Sequence, residues 1–166
     1  MITSDAIQID YLADHHEFVP TLAQWHYNEW AYLRPGDSVE ARLTKLRGFC
    51  GHREIPTVVV AFKGSTLLGS AMLIAYDMDT RMELSPWLAG VFVAPDHRGH
   101  GIGTAMIRRV MDDAMALGVR RLYLYTPTAQ HFYSRLGWSL MEHTSYRGTN
   151  VAVMSHEGAD LRSVTP

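Results

Sequence analysis

Residues 98–103 read Arg98-Gly99-His100-Gly101-Ile102-Gly103 and stand between an apolar run, Gly90-Val91-Phe92-Val93, and the helix-like stretch Thr104 to Val110. A strand hands over to a helix through three glycines and an arginine. A helix N-terminus leaves backbone N–H groups unpaired and carries partial positive charge, so it draws phosphate oxygens. Glycines at alternate positions let the backbone come close, and the planar guanidinium of Arg98 adds a permanent charge suited to phosphate. Taken alone, the stretch reads either as a pyrophosphate cradle or as a plain tight turn.

Residue order disfavours two better-known phosphate loops. The P-loop ends Gly-Lys-Ser/Thr, whereas Gly101-Ile102-Gly103-Thr104 contains no lysine. The dinucleotide pattern G-x-G-x-x-G, counted from Gly99, would need a glycine at Thr104, and the next strand ends Tyr123-Leu124-Tyr125-Thr126 without the ribose-binding acid. Nucleotide hydrolysis and hydride transfer are both poor fits.

Working outward, periodicity divides the chain into alternating strands and helices. Ala6 to Leu12 alternates apolar and polar residues as a strand, and Asp14 reads as the cap of a late-starting helix between His15 and Leu33, with Pro20 in its first turn. Arg34-Pro35-Gly36-Asp37 breaks that helix, and Ser38 caps a second one that ends near Cys50-Gly51. Thr57–Phe62 and Leu67–Ala75 form a hairpin around Gly64, and Leu84–Val93 is a strand interrupted by Pro86 and Gly90, which predicts a bulge or splay. A long helix closes at Gly118; then come a strand at Arg120–Thr126, a short helix at Ala129–Leu136 and two strands between Ser139 and Ser155. The order β-α-α-β-β-β-α-β-α-β-β predicts one α/β domain over residues 1–158, with 159–166 as a frayed tail.

The bulk properties narrow the function class. A formal net charge of -2 on 166 residues argues against nucleic acid as a partner, and no apolar run is long enough to cross a membrane. The single cysteine, Cys50, excludes an internal disulfide, and the opening Met1-Ile2-Thr3-Ser4-Asp5 lacks the pattern of a signal peptide, so a cytoplasmic setting is expected. No metal is expected: the nine histidines include His97 and His100 in the glycine loop, but no set has zinc spacing.

The form Arg-x-x-Gly-x-Gly, here Arg98, Gly101 and Gly103 after the strand Val91-Phe92-Val93, resembles the acetyl-CoA loop of the GNAT (Gcn5-related N-acetyltransferase) superfamily. The likeness runs on through Arg120–Thr126 to Phe132-Tyr133-Ser134-Arg135-Leu136-Gly137-Trp138, which is similar to the family's FYxxxGF/W helix. It implies an α/β fold with a mixed, mostly antiparallel central sheet of about seven strands, a splayed fourth strand and about four flanking helices. The implied activity is transfer of an acetyl group from acetyl-CoA directly to a primary amine on a small molecule or peptide N-terminus. The resemblance also implies that Val91, Phe92 and Val93 pair with the pantetheine arm, and that Arg98, Gly99, His100, Gly101, Ile102, Gly103 and Thr104 cradle the pyrophosphate. Thr126, Phe132 and Tyr133 complete the cofactor contacts, and late strands that pair between subunits leave room for a homodimer.

Transfer to an amine needs a neutral amine, a polarised carbonyl and a proton for the departing thiolate. Tyr133 is the candidate acid, and a backbone N–H near Val91 the candidate oxyanion donor. Many relatives carry a glutamate inside the splayed strand, but here Trp87, Leu88, Ala89 and Gly90 occupy those positions. Glu83, at the start of the strand, is the candidate base through a water chain; otherwise the amine binds already neutral. The missing glutamate also motivates an alternative, a non-catalytic acyl-CoA-binding regulatory module. Trp25, Trp30, Tyr32 and Trp87 are candidates to line the acceptor pocket or the core, and Glu29, Asp37, Asp77 and Asp79 either draw a cationic amine or are surface acids.

Overall fold

In the run Thr57-Val58-Val59-Val60-Ala61-Phe62, Val58, Val60 and Phe62 pack into one hydrophobic cluster, while Val59 and Ala61 pack into a second. A strand buried on both sides of a sheet is continuously apolar, because successive side chains point to opposite faces. The computed structural model, which describes residues 6–158, builds its fold around that strand. The elements are β1 (Gln8–Tyr11), α1 (Val19–Trp30), α2 (Val39–Gly48), β2 (Thr57–Lys63), β3 (Thr66–Ile74), β4 (Trp87–Val93), α3 (Ile102–Ala116), β5 (Arg121–Thr126), α4 (Gln130–Arg135), β6 (Ser139–Tyr146) and β7 (Thr149–Glu157). The predicted 159–166 tail lies outside the described residues.

The seven strands form one sheet in the order β1-β2-β3-β4-β5-β7-β6, and β4–β5 is its one parallel pair. With four α-helices around it, this is the mixed, mostly antiparallel sheet that the resemblance implied. Leu22, Ala23 and Leu46 bring α1 and α2 onto one face; Met106, Ile107, Val110 and Tyr133 bring α3 and α4 onto the other. No helix among the described residues is long and apolar enough to cross a membrane.

The predicted boundaries shift where capping decides them. Ser38 caps α2 as expected, its Oγ accepting from the Ala41 N–H at 3.0 Å. Asp14 caps nothing: its carboxylate instead meets His52 Nε2 at 2.8 Å, and the chain runs through two 3-10 turns, Leu12–Asp14 and His16–Phe18, before α1 begins with Pro20 in its first turn. β4 starts at Trp87 rather than Leu84, since Pro86 cannot donate to a ladder.

Candidate active site

β4 is held differently along its two edges. Toward β3 it keeps a ladder, but Ala71 alone faces both Gly90 and Val91 between the pairs Met72–Ala89 and Ser70–Phe92, so β4 carries a bulge. Toward β5 it pairs once, at Trp87–Tyr123, and then diverges. The rest of its β5-facing backbone has no strand partner. Gly90 makes the bulge possible, because its φ of +58° disfavours any side chain and an added Cβ would lie 2.5 Å from Met72 Cε.

A buried relay supports that kink from below. Ser70 Oγ donates to the Gly90 carbonyl at 2.7 Å, leaving it to accept from His26 Nε2–H at 2.9 Å. Burial, with the Arg42 and Lys45 cations nearby, pulls the His26 imidazole down to about 3, so it is neutral near pH 7 and its Nε2 proton is fixed by Ser70. Neither residue was singled out by sequence reasoning; they lie 44 positions apart and only the fold joins them.

Beyond β4 the chain makes a 3-10 turn at Pro95–His97 and enters the glycine loop. Gly99 and Gly101 are left-handed, with φ of +81° and +79°, and nothing stands within 4 Å of where their side chains would be. Gly101 is the N-cap of α3 and supplies no side-chain hydrogen bond, so no side chain caps the first-turn N–H groups of Ile102, Gly103 and Thr104. His100 is exposed on the same loop. Arg98 is tied back to β4: its Nε donates to the Val93 carbonyl at 2.8 Å and its guanidinium lies 5.5 Å from the Phe92 ring centre. This open, glycine-lined helix end fits a pyrophosphate group.

Val91, Phe92 and Val93 are half-buried at the margin of the core. The Phe92 ring packs on Trp25 at 5.4 Å and Trp30 at 6.2 Å, which fixes the end of α1 over the splay. On the far wall Thr126 Oγ1 accepts from the Ala129 N–H at 3.0 Å and so sets the entry to α4. That short helix delivers Tyr133, whose ring packs edge-on between Phe132 and Trp138 while lining the cavity. Burial alone pushes the Tyr133 phenol well above its ordinary value, so it stays protonated.

The cavity, about 330 Å³, brings Gly90, Val91, Thr126 and Tyr133 together with Trp30 and Tyr32. Trp87 does not reach it and is fully buried core. Its other wall is charged. Asp77 is mostly buried, about a tenth of its side chain staying exposed, and pairs with Arg34 Nη2 at 3.0 Å; burial raises its carboxyl against the pull of Arg34, Lys45 and Arg42. Asp37 pairs with Arg42 at 2.8 Å, and Asp79 pairs with Arg147 outside the cavity. Glu29 stands exposed at the rim. Lys45, read in the sequence only as part of a second helix, projects from α2 into the cavity.

Glu83 is not brought to this cavity. It lies on the exposed turn before β4, and the charge it acts on is Arg81, which bonds Glu142 at 2.6 Å. Cys50 is half-buried, its thiol donating to the Leu46 carbonyl at 3.2 Å, and burial raises its pKa.

The sequence model of the acetyltransferase (GNAT) family matches residues 10–138. No curated protein matches the sequence. Among solved structures, the acetyltransferase of the GNAT family from Streptococcus pneumoniae is similar with a TM-score of 0.66 and 14% identity, over 92% of this chain and 99% of its own. The yncA structure from Salmonella typhimurium, solved with its cofactor acetyl-CoA, gives 0.67 and 16% over 93% and 95%. Spermidine N-acetyltransferase from Vibrio cholerae, in complex with CoA and spermine, gives 0.65 and 21% over 94% and 98%. At these identities the likeness is one of fold.

Proposed function

Since the chain belongs to the GNAT acetyltransferase family and is thereby an acetyl-CoA-dependent enzyme, we propose that it passes the acetyl group directly to a primary amine within the cavity that Tyr133 lines. The observation that carries this reading is the meeting of the unpaired β4 backbone and a buried, protonated phenol in one cavity. The glycine loop and Arg98 hold the pyrophosphate, and the splayed edge from Gly90 to Val93 receives the pantetheine amides as a missing strand would.

In this reading the amine nitrogen attacks the thioester carbonyl carbon, and negative charge gathers on the carbonyl oxygen. A β4 N–H near Val91, already fixed by the bulge, stabilises that charge without reorganising. As the C–N bond forms and the C–S bond breaks, Tyr133 gives its proton to the departing thiolate and is reprotonated from solvent. The nitrogen releases its surplus proton to water. Glu83 is exposed and does not line the cavity, which supports an amine that binds neutral over a relay through that carboxylate.

The test is a thermal-shift and thiol-release assay with acetyl-CoA, CoA, ATP and NAD, then across a panel of primary amines and short peptides. Stabilisation by CoA species with amine-dependent thiol release is the expected result. Stabilisation with no release under any amine would turn the reading toward a non-catalytic acyl-CoA-binding module.

A further inference from the structure

The cavity's acceptor wall holds three cations, Arg34, Arg42 and Lys45, and two of them are already matched. Arg34 is held by Asp77, and Arg42 by Asp37. Lys45 has no carboxylate within ion-pair distance among the described residues; its ammonium rests 5.7 Å from the centre of the Phe49 ring. A partly buried, unmatched ammonium facing a cavity is costly unless a ligand supplies the counter-charge. The acids able to welcome a polycation, Asp77 and Asp37, are paired with arginines, and the remaining one, Glu29, is out at the exposed rim. Such a wall repels a chain of ammonium groups and attracts a single anion.

We propose that the acceptor is a small primary amine that also bears a carboxylate, and that Lys45 binds this carboxylate. The inference rests on reading the cavity as the site of acetyl transfer, and deepens it. Lys45 from α2 and Tyr133 from α4 line the same 330 Å³ space, so one small acceptor can meet both, its carboxylate at Lys45 and its amine toward the splayed strand. Glu29 at the rim lies on α1, where it complements the amine during entry. Burial, with Arg34 and Arg42 nearby, lowers the Lys45 pKa to about 8 against the pull of Asp77 and Asp37, which pair with those arginines.

The experiment compares matched acceptors by thiol release: α- and ω-amino acids, their amides, alkylamines of the same length, and spermidine. The wild-type enzyme is expected to favour the carboxylates at least tenfold in kcat/KM. Lys45→Met should abolish the preference through KM, and Lys45→Arg should restore most of it. Acetyl-CoA binding, followed by calorimetry in each variant, reports folding and the donor side. Preference for spermidine or for amides overturns the inference while leaving the transferase reading intact. So does a preference that survives Lys45→Met, or a Lys45→Met variant that chiefly loses acetyl-CoA affinity, since the cation would then serve the donor. Absence of thiol release with every amine, in protein that binds acetyl-CoA, overturns the transferase reading and this inference with it.

Discussion

The two walls of the cavity are built from different materials. The donor wall is mostly backbone: a bulged strand, a glycine loop and an uncapped helix end, all between Trp87 and Thr104. The acceptor wall is side chains, with Glu29 and Arg34 near the end of α1, Lys45 on α2 and Asp77 after β3. Backbone recognition tolerates few substitutions, because it depends on glycines and on an unpaired edge. Side-chain recognition is adjustable one residue at a time. Under the proposed function, the donor wall fixes the reaction and the acceptor wall fixes what is acetylated.

That division can be broken first at Tyr133, which the proposed mechanism makes the acid and the family resemblance also places against the cofactor. Tyr133→Phe is expected to lower kcat by about 100-fold or more, the usual scale of a lost general acid, with acetyl-CoA affinity nearly unchanged by calorimetry. An unchanged turnover would remove Tyr133 from the acid role. On the donor wall Arg98→Ala should weaken CoA about 10- to 100-fold, the range of a charge-assisted contact, and should do so equally for every acceptor. A change in acceptor preference would show that the two walls are not separable.

The buried relay under the kink is sharpened by pH. His26 is neutral in the fold down to about 3, whereas unfolded histidine takes a proton near 6.5. The unfolded state thus binds the extra proton between those values, and stability falls as pH falls through that window by about 1.4 kcal/mol per pH unit. Thermal unfolding from pH 6.5 to 4 should show a shallower slope in His26→Gln, whose amide can still donate to Ser70. Lys45 behaves oppositely in function: it is cationic below about 8 and neutral above. With Arg34, Arg42, Asp37 and Asp77 as the charges facing it, KM for an ω-amino acid, taken relative to the alkylamine of the same length whose amine titrates alike, should rise about fourfold from pH 7 to 8.5, and Lys45→Arg should flatten the rise. The smallest effect is expected at Glu83: Glu83→Gln should leave kcat within about twofold in a thiol-release assay, as for a surface side chain that touches no reacting atom.

The same contrast explains what could be read from the chain. Arg98-Gly99-His100-Gly101-Ile102-Gly103 and the interruption at Gly90 were legible because local backbone demands write themselves into adjacent residues. Ser38 was legible as a cap for the same reason. Asp77 was not: a carboxylate after a strand looks like a surface acid, and its partner Arg34 stands 43 positions away. Lys45 sits in the last turn of a helix, where a lysine suits the dipole and signals nothing more. His26 and Ser70 each look unremarkable in sequence and acquire meaning only when α1 crosses β3. Asp14 misled because a plausible capping residue was claimed by His52 across the fold.

Mechanically, the sheet is two plates, β1 to β4 and β5-β7-β6, fastened along their seam by one rung at Trp87–Tyr123. An ordinary seven-stranded sheet would have to tear hydrogen bonds to admit a guest chain. Here the tear is folded in from the start, wedged by a glycine and braced by a serine and a histidine. The cost of opening is thus paid during folding, and in the proposed reading the donor arm arrives at a slot that only needs to be filled.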